Sequence, residues 1–178
     1  MTMKHKVSAV LIAAGVVFAS QSVATAQEVS TEVPMAHPTG GVHTIKFFGN
    51  SWCGRADDSG KATQVATFGI RDLNVQSSTA RFFIDPNKLF PFNSATVQWK
   101  NTATGAQGSK TFHKSGFYMD MPVGDVGFGE VEATMTVTRS LLPTLSPGSA
   151  IPFFSSTHTE TLKVAGVAAT ACENSLKN

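Results

Sequence analysis

Cysteine is scarce in this 178-residue chain, with two in all, and tyrosine occurs once and tryptophan twice. So few large aromatics leave little to furnish the groove that a glycosidase sets beside its two opposed carboxyls. Also missing are G-x-S-x-G, H-E-x-x-H and any phosphate-cradling glycine loop, which removes the common hydrolase and nucleotide-binding signatures. Basic residues never cluster beyond the N-terminus: they are scattered singly from Lys46 to Lys177, without the stripe of a nucleic-acid binder. No second long apolar run follows the first, so no transmembrane helix is expected after it. The stretch "LPTLSPG" departs from an L-P-x-T-G sorting signal, and no hydrophobic tail comes after it.

What is present at the N-terminus reads as a secretory signal peptide over residues 1–26. Lys4 and Lys6 precede an apolar run from Val7 to Ala19, too short for the roughly 20 residues of a membrane-spanning helix. Ala24-Thr25-Ala26 then offers the small residues of a cleavage site after Ala26. With Lys4 and Lys6 removed, 12 of the 14 basic residues face 12 acidic ones, and the remaining chain is neutral. The expected location is secreted, extracellular or associated with the cell envelope. There, two cysteines pair rather than stay reduced, so Cys53 in "SWCGRADDSG" is expected to join Cys172 across 119 positions. Arg55, set beside Asp57 and Asp58, does not make the electropositive surroundings of a reactive thiol.

The remainder alternates short runs of Val, Ile, Thr and Phe with Gly, Pro, Asn and Ser, the pattern of an antiparallel all-β domain. In "EVEATMTVT", Val131, Ala133, Met135 and Val137 share one face and Glu130, Glu132 and the threonines the other, which predicts a strand with a core side and a water side. Further strands are expected at 42–48, 64–70, 79–84, 95–100, 109–113, 116–121 and 157–164. Asn101, Gly105 and Gly108 predict a hairpin between the strands around Trp99 and Phe112. Asp85-Pro86-Asn87 and Met121-Pro122 mark turns or strand ends, because proline cannot donate to an interior ladder. The whole predicts one immunoglobulin-like β-sandwich of about 7–9 strands over residues 42–178. Residues 27–41, with two prolines and Gly40-Gly41, are expected to be a flexible leader.

Candidate chemistry is thin. His37, His43, His113 and His158 are isolated from one another in sequence, so no metal site and no cofactor is expected. Asp57 and Asp58 read as turn residues, and Glu130 and Glu132 as the solvent face of a strand, which leaves no catalytic residue to name and predicts no enzyme. Phenylalanine is the unusual feature, with 13 in the chain and several as neighbours: Phe47-Phe48, Phe82-Phe83 and Phe153-Phe154. Adjacent strand residues point to opposite faces, so one ring of each pair needs cover. Proline-stiffened apolar loops supply the expected binding residues, Phe90, Phe92, Leu145, Phe153 and Phe154, for a protein or envelope-surface partner.

The segments "VQWKNTATGAQGS" (97–109) and "GFGEVEATMTVTRSLLPTLSPGSAIPFF" (127–154) resemble small exported β-rich proteins of actinobacterial, mycobacterium-like and corynebacterium-like envelopes. The resemblance implies a β-rich domain and carries over no catalytic residue. A second likeness, in "GGVHTIKFFGNSWC" (40–53), is to the opening of chaperone-usher pilins. It implies a structural subunit with residues 27–41 as donor strand, since Val29, Val33 and Met35 alternate there. Cys172, six residues from the end with no aromatic after it, departs from that pattern. The expectation is a non-enzymatic β-sandwich acting by surface binding, with the pilin-like subunit as the alternative.

Overall fold

The computed structural model describes residues 26–56, 59–75, 91–143 and 155–176. They form eight strands and one short helix: β1 (Val29–Ala36), β2 (Val42–Arg55), β3 (Ala62–Asp72), β4 (Phe92–Asn101), β5 (Gln107–Ser115), β6 (Tyr118–Asp125), β7 (Val131–Ser140), β8 (Ser155–Val164) and α1 (Ala169–Ser175). Two antiparallel four-stranded sheets, ordered β1-β2-β3-β6 and β5-β4-β7-β8, pack face to face as an all-β sandwich.

Period-two patterning sets which side chains enter the interlayer space. On β7, Val131, Ala133, Met135 and Val137 are all completely buried, facing Ile45, Phe47, Phe68 and Met121 from the other sheet. The strand register puts Phe48 opposite Gly69 on the outer face, where the ring lies over the bare glycine and stacks on Tyr118 at 6.0 Å. A β-carbon at Gly69 would stand 2.2 Å from that ring. Cover for the second ring of the Phe47-Phe48 pair thus comes from within the sheet itself, and Phe48 remains only 8% exposed.

Several elements differ from the sequence reading. Residues 29–36 form an ordered strand, β1, rather than a leader, with Met35 buried and Val29 and Val33 packed against the core. Pro34 is tolerated there because β1 is an edge strand; the same reason lets β6 run through Pro122 instead of ending at it, with a bulge opposite at Ala66/Thr67. Gly108 belongs to β5 beneath the Trp99 ring and not to the turn, while Asn101 and Gly105 make the hairpin as expected. The strand expected at 79–84 and the turn at 85–87 lie outside the described residues.

The sheets meet along both sides. Ser156 Oγ donates to the Ala36 carbonyl at 2.7 Å, joining β8 to β1, and Lys110 Nζ donates to the Val123 carbonyl at 2.7 Å, joining β5 to β6. At one end of the sandwich the C-terminal segment is fastened back. Cys53 of β2 and Cys172 of α1 stand at disulfide distance, 5.2 Å between Cα atoms. Two buried amides complete that end. Gln64 donates to the Gly129 carbonyl and accepts from the Gly129 and Val167 amides; Asn101 accepts from the Ala103 and Thr104 amides and donates to the carbonyls of Val126, Gly127 and Phe128.

Candidate functional site

The opposite end is built from the β1–β2 turn, the C-terminal residues of β3 and β7 and the start of β4. Here the alternation that fills the core with aliphatic groups runs on by one more step into polar ones. Arg139 follows Val137 on the inner face of β7 and is 1% exposed; Asp72 ends β3 and is 2% exposed. Arg139 Nη2 donates to Asp72 Oδ2 at 2.7 Å, a charge-assisted bond between the two sheets.

His43, at the start of β2, bonds through Nδ1 to the same Asp72 oxygen at 2.7 Å. His37 reaches this group through the turn at 37–41. Gly40 and Gly41 hold φ of 111° and 83°, the His37 amide donates to the Gly41 carbonyl, and the chain doubles back to pair Met35 with His43. The two imidazoles stack with centroids 4.2 Å apart. The histidines that the sequence reading kept separate are therefore brought together by strand register, which no helical spacing rule detects.

Electrostatics follow from burial. Desolvation pushes the His37 imidazole below its ordinary value, helped by His43 and Arg139, so its neutral form is favoured. Burial alone would raise the Asp72 carboxyl, but the hydrogen bonds from His43 and Arg139 outweigh it and hold the group below the usual carboxylate range. Burial lowers Arg139 while Asp72 pulls it back upward. One ligand atom each from His37, His43 and Asp72 falls within 4.8 Å of the others, and imidazole and carboxylate are both groups that can ligate a metal ion.

Hydrogen bonding here is incomplete. Nε and Nη1 of Arg139, Oδ1 of Asn93 and Oγ of Ser94 are buried without a partner among the described residues. Asn93 spends only its amide nitrogen, on the Lys114 and Gly116 carbonyls, which fixes the β5–β6 connection beside the cluster. Each buried, unpaired polar group costs about 1–3 kcal/mol, and more when charged. Native proteins keep few of them, and functional sites are among the places where they persist.

Of the residues that sequence singled out, Cys53 and Cys172 are at the far end of the sandwich. Phe92 opens β4, half-buried, at the end that holds Arg139. Phe90, Leu145, Phe153 and Phe154 lie outside the described residues. His113 is exposed on β5, and His158 on β8 bonds to Glu160 at 3.1 Å and packs against Phe47. Asp72 and Arg139 were missed by the sequence reading, although extending the β7 alternation from Val137 by two positions puts Arg139 inside. No family model matches this chain, nor does any curated protein or solved structure.

Proposed function

We propose that this chain is an exported protein of the cell envelope or extracellular space that acts by contact, without catalysis, through the Arg139 end of its sandwich. The observation that carries this reading is where the apolar loops are anchored. The segments bearing Phe90, Leu145, Phe153 and Phe154 connect β3 to β4 and β7 to β8, and those four strand termini, Asp72, Phe92, Ser140 and Ser155, all belong to this end. The strand termini from which those segments leave and to which they return thus lie on the same side of the molecule as the unpaired polar atoms of Arg139, Asn93 and Ser94. The fastened C-terminus, with Cys53 and Cys172, occupies the other.

Strand order supports the immunoglobulin-like part of the reading. β4, β7 and β8 take the places of strands C, F and G with β5 as C′, and β2, β3 and β6 those of A, B and E, with β1 added at the edge. The cysteine pair departs from that pattern, since it joins β2 to α1 instead of B to F.

Pull-down from envelope extracts with the wild type and a Phe153→Ser/Phe154→Ser variant tests the proposal. Partners lost in the variant support it; partners retained in full count against it. The pilin-like reading draws on one observation, that β1 is an edge strand with a single strand neighbour. For that role the purified chain must form a polymer that disappears when residues 27–41 are deleted, whereas the contact reading expects a monomer that loses cooperative folding on the same deletion.

A further inference from the structure

We propose that His37, His43 and Asp72 form a binding site for a divalent transition-metal ion of the zinc class. Their ligand atoms already lie within 4.8 Å of one another, on the tight turn after β1, the start of β2 and the end of β3. Backbone bonds fix all three positions. His37 is held through its amide to Gly41, Asp72 through its amide to the Phe117 carbonyl, and His43 through its pairing with Met35. A site preset in this way loses little entropy on capturing an ion.

The donor chemistry selects the cation. Two imidazoles with one carboxylate suit zinc, copper, nickel or ferrous iron, whereas calcium and magnesium want oxygen alone. A metal requires neutral imidazole and ionised carboxylate. Burial favours the free base of His37, and the bonds to Asp72 favour its anion. An ionised carboxylate offers about four acceptor positions. His43, Arg139 and the Asn74 amide take three on Asp72.

Arg139 accounts for the remaining charge. Without an ion its charge offsets that of Asp72. With an ion bound, the cluster becomes cationic and calls for an anionic oxygen in the open coordination position. The unpartnered Nε and Nη1 of Arg139 are donors suited to such an oxygen. The inference shares an end of the molecule with the proposed contact surface but stands apart from it: metal binding survives if Phe153 and Phe154 prove irrelevant, and the loop pull-down can succeed without a metal.

The test is calorimetric titration of zinc chloride into the chelator-stripped chain lacking residues 1–26, at pH above the histidine range. One ion per chain at micromolar concentration is expected. His37→Ala and His43→Ala should each weaken binding by at least about a hundredfold, more than the loss of an outer-shell partner causes. His113→Ala and His158→Ala should leave it unchanged. Zinc-induced shifts of the His37 and His43 imidazole resonances in the unsubstituted protein give the same answer without relying on any variant's folding. Absence of saturable binding in the wild type, or resonance shifts confined to His113 or His158, would overturn the proposal.

Discussion

Two sets of buried polar side chains, one at each end of the sandwich, are bonded in opposite ways. Around Cys53 and Cys172, the side-chain amides of Gln64 and Asn101 are fully enclosed, and every polar atom on them has a partner. Around Arg139, four buried side-chain atoms of Arg139, Asn93 and Ser94 have none among the described residues, and Asn50 Oδ1, on β2 three residues before Cys53, is a further such atom. A saturated network specifies one backbone arrangement and stabilises it; a partly saturated one costs free energy and persists for another reason. The Gln64 and Asn101 amides therefore fasten the fold, and the Arg139 end is the one we propose as its contact surface.

Cutting the fastening gives the largest expected effect. In the chain-entropy account, closing a loop of about 100 residues stabilises by up to about 4.7 kcal/mol. Replacing Cys53 and Cys172 together by alanine should therefore lower unfolding stability by several kcal/mol in urea titration, and Arg55, whose Nη2 holds the Leu176 carbonyl at 3.1 Å, will not compensate. A loss under about 1 kcal/mol would mean the C-terminal segment is held by packing alone.

Asn101→Ala comes next. It strands one buried and two partly buried carbonyls and two amides at the hairpin and the β6–β7 connection, for a cost of about 3 kcal/mol by the penalty for orphaned groups. Thermal unfolding of this variant, compared with Ser94→Ala at the other end, sharpens the contrast. Ser94 Oγ has no hydrogen-bond partner among the described residues, so removing it should cost well under 1 kcal/mol or stabilise slightly.

Acid should weaken the Arg139 end in particular. Asp72 and His37 both have folded values below their unfolded ones, so each binds a proton more readily when unfolded. The contribution of His37 is complete above about pH 6.5 and declines as pH falls through its lowered value; that of Asp72 is complete above about pH 3.9 and is lost below. Urea midpoints should thus fall from neutral pH downward. The decline near pH 6 should vanish in His37→Gln, and an unchanged slope there would remove His37 from the account.

Much of the architecture was legible in the chain itself. The strict alternation at Val131–Val137 named core residues that are fully buried, and Asn101 with Gly105 marked a true hairpin. The β1 strand was obscured because Pro34, Pro38 and the Gly40-Gly41 pair suggest loop, while the period-two signal of Val29, Val33 and Met35 is short; an edge position reconciles both. The polar cluster was harder to read. His37 meets His43 only through the pairing of Met35 with His43, and Asp72 meets Arg139 only through the stacking of two sheets, so neither contact has a local sequence pattern.

The most direct measurement compares two variants by urea unfolding at neutral pH in the presence of chelator: Asn101→Ala, and Arg139→Met combined with Asp72→Leu. Replacing a buried ion pair by well-packed apolar residues of similar volume is often neutral or stabilising. If the Arg139 end is kept for binding, the double variant should remain within about 1 kcal/mol of wild type or exceed it, while Asn101→Ala loses about 3 kcal/mol. A double variant that unfolds more readily than Asn101→Ala would show that the ion pair is part of the scaffold and would contradict the division between the two ends.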